Sequence, residues 1–321
     1  MIKVILFATA VLAGLLTVPL EAAESVTGKQ VLFVSSYHDG LTGADDIVSG
    51  VKEGFQDSGV KLTFTYMDTK RHSSESFAKE SALRVKAEIE KLRPDIVIAS
   101  DDAAAKYLIQ PYYQDVDLPI VFCGVNWDSS VYGFPSRNIT GVNEVELVPQ
   151  MLHLLKVYAR GDRMGFLAAD TLPERKNIDF HKKLFGLSYS TGHFVKTFDE
   201  YKAAYLQLQK EADLIVMLSP SGIMGWDDSK AKTFVLENAT IPSGSMVPWA
   251  APYSLLTFSQ ILKEQGTLAS SIALRILHGE RPIDIPITKN TGGKLYINMP
   301  IAMRLGITFE TKLLRLAEII R

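Results

Sequence analysis

Short apolar runs punctuate this chain, each closed by a polar cluster, and between them apolar residues recur at helical spacing. Gln30-Val31-Leu32-Phe33-Val34 is one such run, ending in Ser35-Ser36-Tyr37-His38-Asp39-Gly40. A helix is expected from about Asp45, with Ile47, Val48, Val51 and Phe55 on one face. Leu62 to Met67 alternates as a strand, and Ala78, Ala82, Val85, Ile89 and Leu92 stripe a second helix. Ile96 to Ala99 lies between Pro94 and Ser100-Asp101-Asp102. Leu118 to Cys123 ends in Gly124-Val125-Asn126-Trp127. Runs apolar at every residue suit a parallel sheet covered on both faces. Strands alternating with helices over short connections predict a right-handed, doubly wound α/β sheet.

At Asn138-Ile139-Thr140-Gly141-Val142 the rhythm changes, and a helix is expected from Glu144 to Tyr158. The alternation then starts afresh. Strands are expected at Met164 to Ala169 (ending at Asp170), near Phe194-Val195, at Asp213 to Leu218 (ending at Ser219-Pro220-Ser221) and, weakly, at Ile241 to Val247. Helices are expected after Pro173, over Tyr201 to Leu208 and from Asp227. The pattern therefore predicts two α/β lobes of similar grammar. Gln265 to Gly279 reads as a strong helix closed by its glycine. Ile283 to Ile287, a Gly-rich turn, Leu295 to Ile297 and a final amphipathic helix to Arg321 complete the chain.

Composition narrows the class. The chain has 321 residues, enough for two lobes, and at 47% hydrophobic and 22% charged it is built to fold. A formal charge of -2 with no basic cluster argues against a nucleic-acid partner or an anionic membrane surface. Lys3 precedes the apolar run Val4 to Leu20 and then Glu21-Ala22-Ala23, so residues 1–23 read as an export signal. A retained anchor is the alternative, but the run falls short of the ~20 apolar residues of a usual span. Cys123 is the single cysteine, inside a strand, which suits a small buried hydrophobe and excludes an internal disulfide. An exported chain without disulfides fits a bacterial periplasm.

Open α/β sheets bind ligands at the carboxyl ends of their strands, and the polar clusters sit there. On lobe I these are Ser35, Ser36, Tyr37, His38, Ser100, Asp101, Asn126 and Trp127; on lobe II they are Asp170, Ser219 and Trp249. Tyr37, Trp127 and Trp249 offer flat faces, and the others offer hydrogen bonds. Each has a plainer reading. Asp101-Asp102 suit a helix cap and its dipole partner, the hydroxyls suit turn chemistry, and any one tryptophan can cover a lobe edge. Thr65-Tyr66-Met67-Asp68-Thr69-Lys70-Arg71-His72-Ser73 reads as a structural turn or partner-facing surface. No dinucleotide, Walker or nucleophile-elbow motif is present, and no histidine pair has metal spacing. Neither a cofactor nor a metal is expected, and binding without chemistry is favoured. A hydrolase built from distant loops, using Ser35 or Asp170, stays open.

Four stretches carry a family resemblance: RPDIVIASDDAA with LPIVFCGVN, NITGVNEV, GTLASSIALRILHGERPIDIPI, and INMPIAMRLGITFETKLLRLAEII. In order and spacing the chain resembles the type 1 periplasmic binding proteins, specifically the ABC-transporter substrate-binding family that includes tryptophan/tyrosine-type binders. It is also similar to periplasmic sensing domains fused to kinases and cyclases, which share phrases like TYMDTKRH and VSSYHDG. The resemblance implies two lobes joined by three crossings. Lobe I would span 28–141 plus 252–282 and lobe II 142–251 plus 283–321, with a hinge near Gly141, Ala251 and Pro286. It further implies a monomer that closes on a small molecule and serves an ABC permease or a membrane signalling receptor. An aromatic or planar polar ligand such as an amino acid is expected, with Asp101 or Asp170 holding its ammonium.

Overall fold

The computed structural model describes residues 25–321; the expected export signal at 1–23 lies outside the described residues. The first half runs β1 (Gln30–Ser35), α1 (Thr42–Gly54), β2 (Lys61–Tyr66), α2 (Glu75–Leu92), β3 (Ile96–Ser100), α3 (Asp101–Ala104), a π-turn (Ala105–Ile109), α4 (Gln110–Tyr112), β4 (Ile120–Asn126) and β5 (Ile139–Glu144). The chain continues through α5 (Val148–Leu155), β6 (Met164–Ala169), α6 (Leu172–Phe185), β7 (Thr191–Val195), α7 (Phe198–Glu211), β8 (Leu214–Met217), α8 (Asp228–Asn238), β9 (Ser243–Ser245) and β10 (Leu256–Gln260). Last come α9 (Leu262–Leu277), β11 (Thr288–Lys289), β12 (Gly293–Asn298), α10 (Met299–Leu305), α11 (Thr311–Leu316) and β13 (Ala317–Ile320).

Two sheets collect these strands. The first has order β11-β5-β4-β3-β1-β2, parallel throughout. The second has order β13-β12-β10-β9-β8-β6-β7 and is parallel except where β10 meets β12. The apolar runs explain the layering. Val31, Phe33, Ile96, Ile98, Val121 and Cys123 pack on one face of the first sheet, against Ile47, Val51, Ala269 and Ile272 of α1 and α9. Their neighbours Leu32, Val34, Val97, Ala99, Ile120 and Phe122 face the other way, against Ala82, Val85 and Ile89 of α2. Two buried faces require apolar residues at every position. The second lobe has one continuous core around Leu167, Tyr205, Ile215, Val216, Leu255 and Ile297.

Sheet membership moves the crossings along the chain. Gly141 is still mid-strand, because β5 pairs with β4 as far as Glu144. The segment expected to begin lobe I at 252 instead supplies β10 to the second sheet, between β9 and β12. Beyond Pro286, β11 still pairs with β5 in the first sheet. The passages between sheets therefore lie at Val145–Leu147, at Ile261 and at Asn290–Gly292. Two helix expectations also change. The expected helix from Glu144 begins at Val148, after a short buried link. The expected final helix to Arg321 is α11 followed by β13, whose Ile319 and Ile320 pair with Ile297 and Asn298 of β12.

Candidate functional site

The carboxyl ends of β1, β3, β4 and β5 meet at an acidic floor on the first lobe. Asp101 opens α3 at φ +72° and is buried; its Oδ2 accepts from the Ser100 hydroxyl at 2.8 Å. The chain makes room for it at Gly124 (φ +65°), where an added Cβ would stand 3.2 Å from Asp101 Oδ1. Asp102 accepts from Tyr132 Oη at 2.9 Å and from Asn126 Nδ2 at 2.6 Å. Neither aspartate is a cap, since no side-chain cap bond forms at the start of α3. Glu144, the last residue of β5, is half-buried and accepts from Gln260 Nε2 at 2.6 Å.

Crowded carboxylates in poor contact with water hold their protons. Burial, with the Asp102 charge adding to it, pushes Asp101 up to about 7. Burial and then the Asp101 charge push Glu144 up to about 8. Tyr37 and Tyr132 are held far above the ordinary phenol range, chiefly by burial and then by these same acids. A floor of this kind favours a cation.

Beside it lies a cavity of about 440 Å³ between the lobes, lined by Asn126, Trp127, Glu144 and Gln260 together with Glu146, Leu172, Lys176 and Asn177. Its hinge wall is rigidly tied. Asn290 accepts from Val145 N–H at 2.8 Å, donates to Val145 O at 3.0 Å, and accepts from Gln265 Nε2 at 3.2 Å. One buried amide thus joins the first and third crossings to the start of α9. Glu146 is held from below: His181 Nε2 is 2.9 Å from its Oε2, and Tyr189 Oη is 2.8 Å from His181 Nδ1. His181 is wholly buried. A proton on Nε2 then leaves Nδ1 to accept from the tyrosine.

The other residues named from strand ends meet different fates. Ser35, Ser36 and Ser100 are buried; Ser36 Oγ donates to Ser100 O at 2.6 Å and accepts from Ala104 N–H at 2.8 Å, stitching β3 and α3 to β1. Ser219 is buried and receives Trp249 Nε1–H at 3.3 Å, while the Trp249 ring stays 55% exposed. Asp170 is occupied by Arg175 at 2.6 Å and Lys196 at 3.6 Å, and so faces two cations already. His38 lies beside Asp68 at 3.5 Å, lining a separate cavity with Tyr66, Arg71 and Arg84. Trp127 lines the interlobe cavity but turns its ring onto α6, stacked on Phe180 with centroids 5.3 Å apart. Glu144 and Glu146 escaped the strand-end reading because they sit in a stretch with helical spacing. The Asn143-Glu144-Val145-Glu146 alternation was the signal available.

A profile described as "ABC transporter substrate binding protein" matches residues 32–320. The chain belongs to that family. Among solved structures it is similar to a ligand-free, open substrate binding protein with adhesive properties from Clostridium difficile, at 16% identity and a TM-score of 0.69, covering 91% of this chain and 99% of that one. It is also similar to a domain in complex with L-Trp from Streptococcus pneumonia, at 20% identity and TM-score 0.55, covering 92% and 100%. A periplasmic ribose ABC transporter protein from Conexibacter woesei matches at 14% identity and TM-score 0.57, covering 92% and 99%. No curated protein sequence matches significantly. These likenesses establish the two-lobed type 1 periplasmic binding protein fold. Membership of the substrate-binding family implies a small-molecule ligand and an ABC transporter as partner. No helix among the described residues is long and apolar enough to cross a membrane.

Proposed function

We propose that this protein is a periplasmic receptor that closes on an ammonium-bearing organic molecule with an apolar or aromatic body, such as an amino acid, and delivers it to an ABC permease without chemical change. Residues 1–23 would direct its export. The observation that carries the reading is the asymmetry of the cleft. The first lobe offers the carboxylates of Asp101, Asp102 and Glu144. The second presents Lys176 and Leu172 to the cavity, and Met224 and Trp249, which follow its strands β8 and β9, are exposed apolar side chains. An ammonium gains charge-assisted hydrogen bonds at the floor, a carboxylate can reach Lys176, and the apolar body leaves water on the opposite rim. Contacts to both rims exist only with the lobes together, so such a ligand shifts the population toward closure.

The test is a thermal-shift screen of amino acids, amines, nucleobases, sugars and inorganic anions. A ligand at ~100 times its Kd should stabilise the fold by about 2.7 kcal/mol. Ammonium compounds are expected to raise Tm; a response confined to sugars or anions, or none at all, defeats the reading. With the best hit, Asp102→Asn should weaken binding at least tenfold, about 1.4 kcal/mol. Trp249→Ala should cost about 1–3 kcal/mol. Asp170→Asn should leave affinity unchanged, because Arg175 and Lys196 already occupy that carboxylate.

A further inference from the structure

Trp127 is the bulkiest non-glycine residue held at positive φ, at +62°. Among the described residues the others are four aspartates and Arg93, the last at the left-handed end of α2. An aromatic residue keeps that backbone only where its surroundings over-determine it. Here they come from both lobes. The Trp127 N–H donates to Glu144 O at 2.8 Å, fixing the turn to the end of β5 in the first lobe. The indole then crosses to the second lobe and lies nearly flat on Phe180, 10° between planes, with Phe185 and His181 at its edges. Its Nε1–H donates to Asn177 Oδ1 at 3.2 Å, and the ring is 8% exposed. The next residue repeats the crossing, since Asp128 Oδ2 pairs with Lys183 Nζ at 3.0 Å. All the second-lobe partners lie on α6.

We infer that Trp127 and Asp128 form a latch from the first lobe onto α6 that limits how far the two lobes can open. Lobes joined by small polar interfaces move against each other by default. A buried indole wedged at the flank of the hinge restrains that motion, and opening must uncover both it and Phe180. The latch also adjoins the ligand cavity. Asn177 receives the indole N–H and donates from Nδ2 to Glu146 Oε1 at 3.3 Å. The seat of the latch and the cavity wall therefore share one amide. The inference rests on the interlobe contacts alone and stands or falls separately from the ligand reading.

Electron-spin distance measurements on the ligand-free protein test it. Spin labels at Leu83→Cys on α2 and Leu206→Cys on α7 report lobe separation, because both sites are exposed on different lobes and Cys123 is buried. The parent should give one narrow distribution. Trp127→Ala and Phe180→Ala, which break the stack from opposite sides, should each shift the distribution to longer distances. Should Trp127→Ala fail to fold, Phe180→Ala decides, since that ring is only half-buried. Folded variants whose distributions superimpose on the parent overturn the latch.

Discussion

Glu144 combines two roles at one residue: it ends the last long strand of the first sheet and it faces the cleft. Its carboxyl is neutral in the folded protein up to about pH 8, against 4.5 for an unperturbed side chain. A raised carboxyl favours the folded state in its protonated form. That contribution is whole below about 4.5 and is lost as pH climbs toward 8, because the unfolded chain ionises first. Asp101, raised to about 7, acts in the same direction. Tm of the ligand-free protein should therefore fall between pH 5 and 8.5. Glu144→Gln, which keeps an acceptor for Gln260, should flatten that slope and gain about 1–3 kcal/mol at pH 8.5. An unchanged slope in the variant would mean that Glu144 is ionised throughout. The same residue makes ligand binding a proton exchange. A cation that draws Glu144 into its charged form at pH 7 must expel protons, and calorimetry in buffers of different ionisation enthalpy would read them.

Among the elements, α1 and α9 lie backbone against backbone. A Cβ on Gly50 would meet the Lys263 carbonyl oxygen at 2.1 Å, and one on Gly266 would meet the Ile47 carbonyl oxygen at 2.1 Å. Alanine ordinarily improves a helix by up to about 1 kcal/mol over glycine. Against a backbone atom that cannot yield, the clash outweighs this gain. Gly50→Ala is expected to destabilise by about 3 kcal/mol in urea melts, whereas Gly43→Ala, whose Cβ meets only the Leu262 side chain at 3.0 Å, should be close to neutral. The sequence shows α1 and α9 as striped helices but not their intimacy, because a glycine in a helix reads as weakness until its neighbour is known. Continuous apolar strands were legible for the opposite reason: two-sided burial writes itself on every residue of β1, β3 and β4. The last strand was not, since Leu313, Leu314, Ile319 and Ile320 fit a helical stripe and only pairing with β12 makes Ala317–Ile320 extended. At the site, strand ends pointed to Asp101, Asn126 and Trp127. The sequence could not show that Trp127 spends its face on α6 or that Asp170 has cations on both sides, because those partners come from elsewhere in the fold.

At the scale of the whole molecule, the three crossings bind each lobe to distant parts of the chain. The first lobe is the sharper case: α9, which covers one face of its sheet, arrives only after the second lobe has contributed β6 to β10. This gives the fold a timetable. As the chain emerges N-terminus first, β1 to β5 appear with Ile47, Val48, Val51 and Phe55 still uncovered, and the helix that seals them is ~130 residues away. At ~5–20 residues per second that is a delay on the order of ten seconds. During this interval the N-terminal half is an open layer rather than a finished lobe. A chain stopped after Gln260 should reproduce that moment: brief proteolysis is expected to cut within residues 30–140 of the truncated protein while sparing them in the full chain. Equal protection in both would show that the first lobe closes without α9. The order in which the chain is made thus leaves the earliest part of the protein to mature among the last.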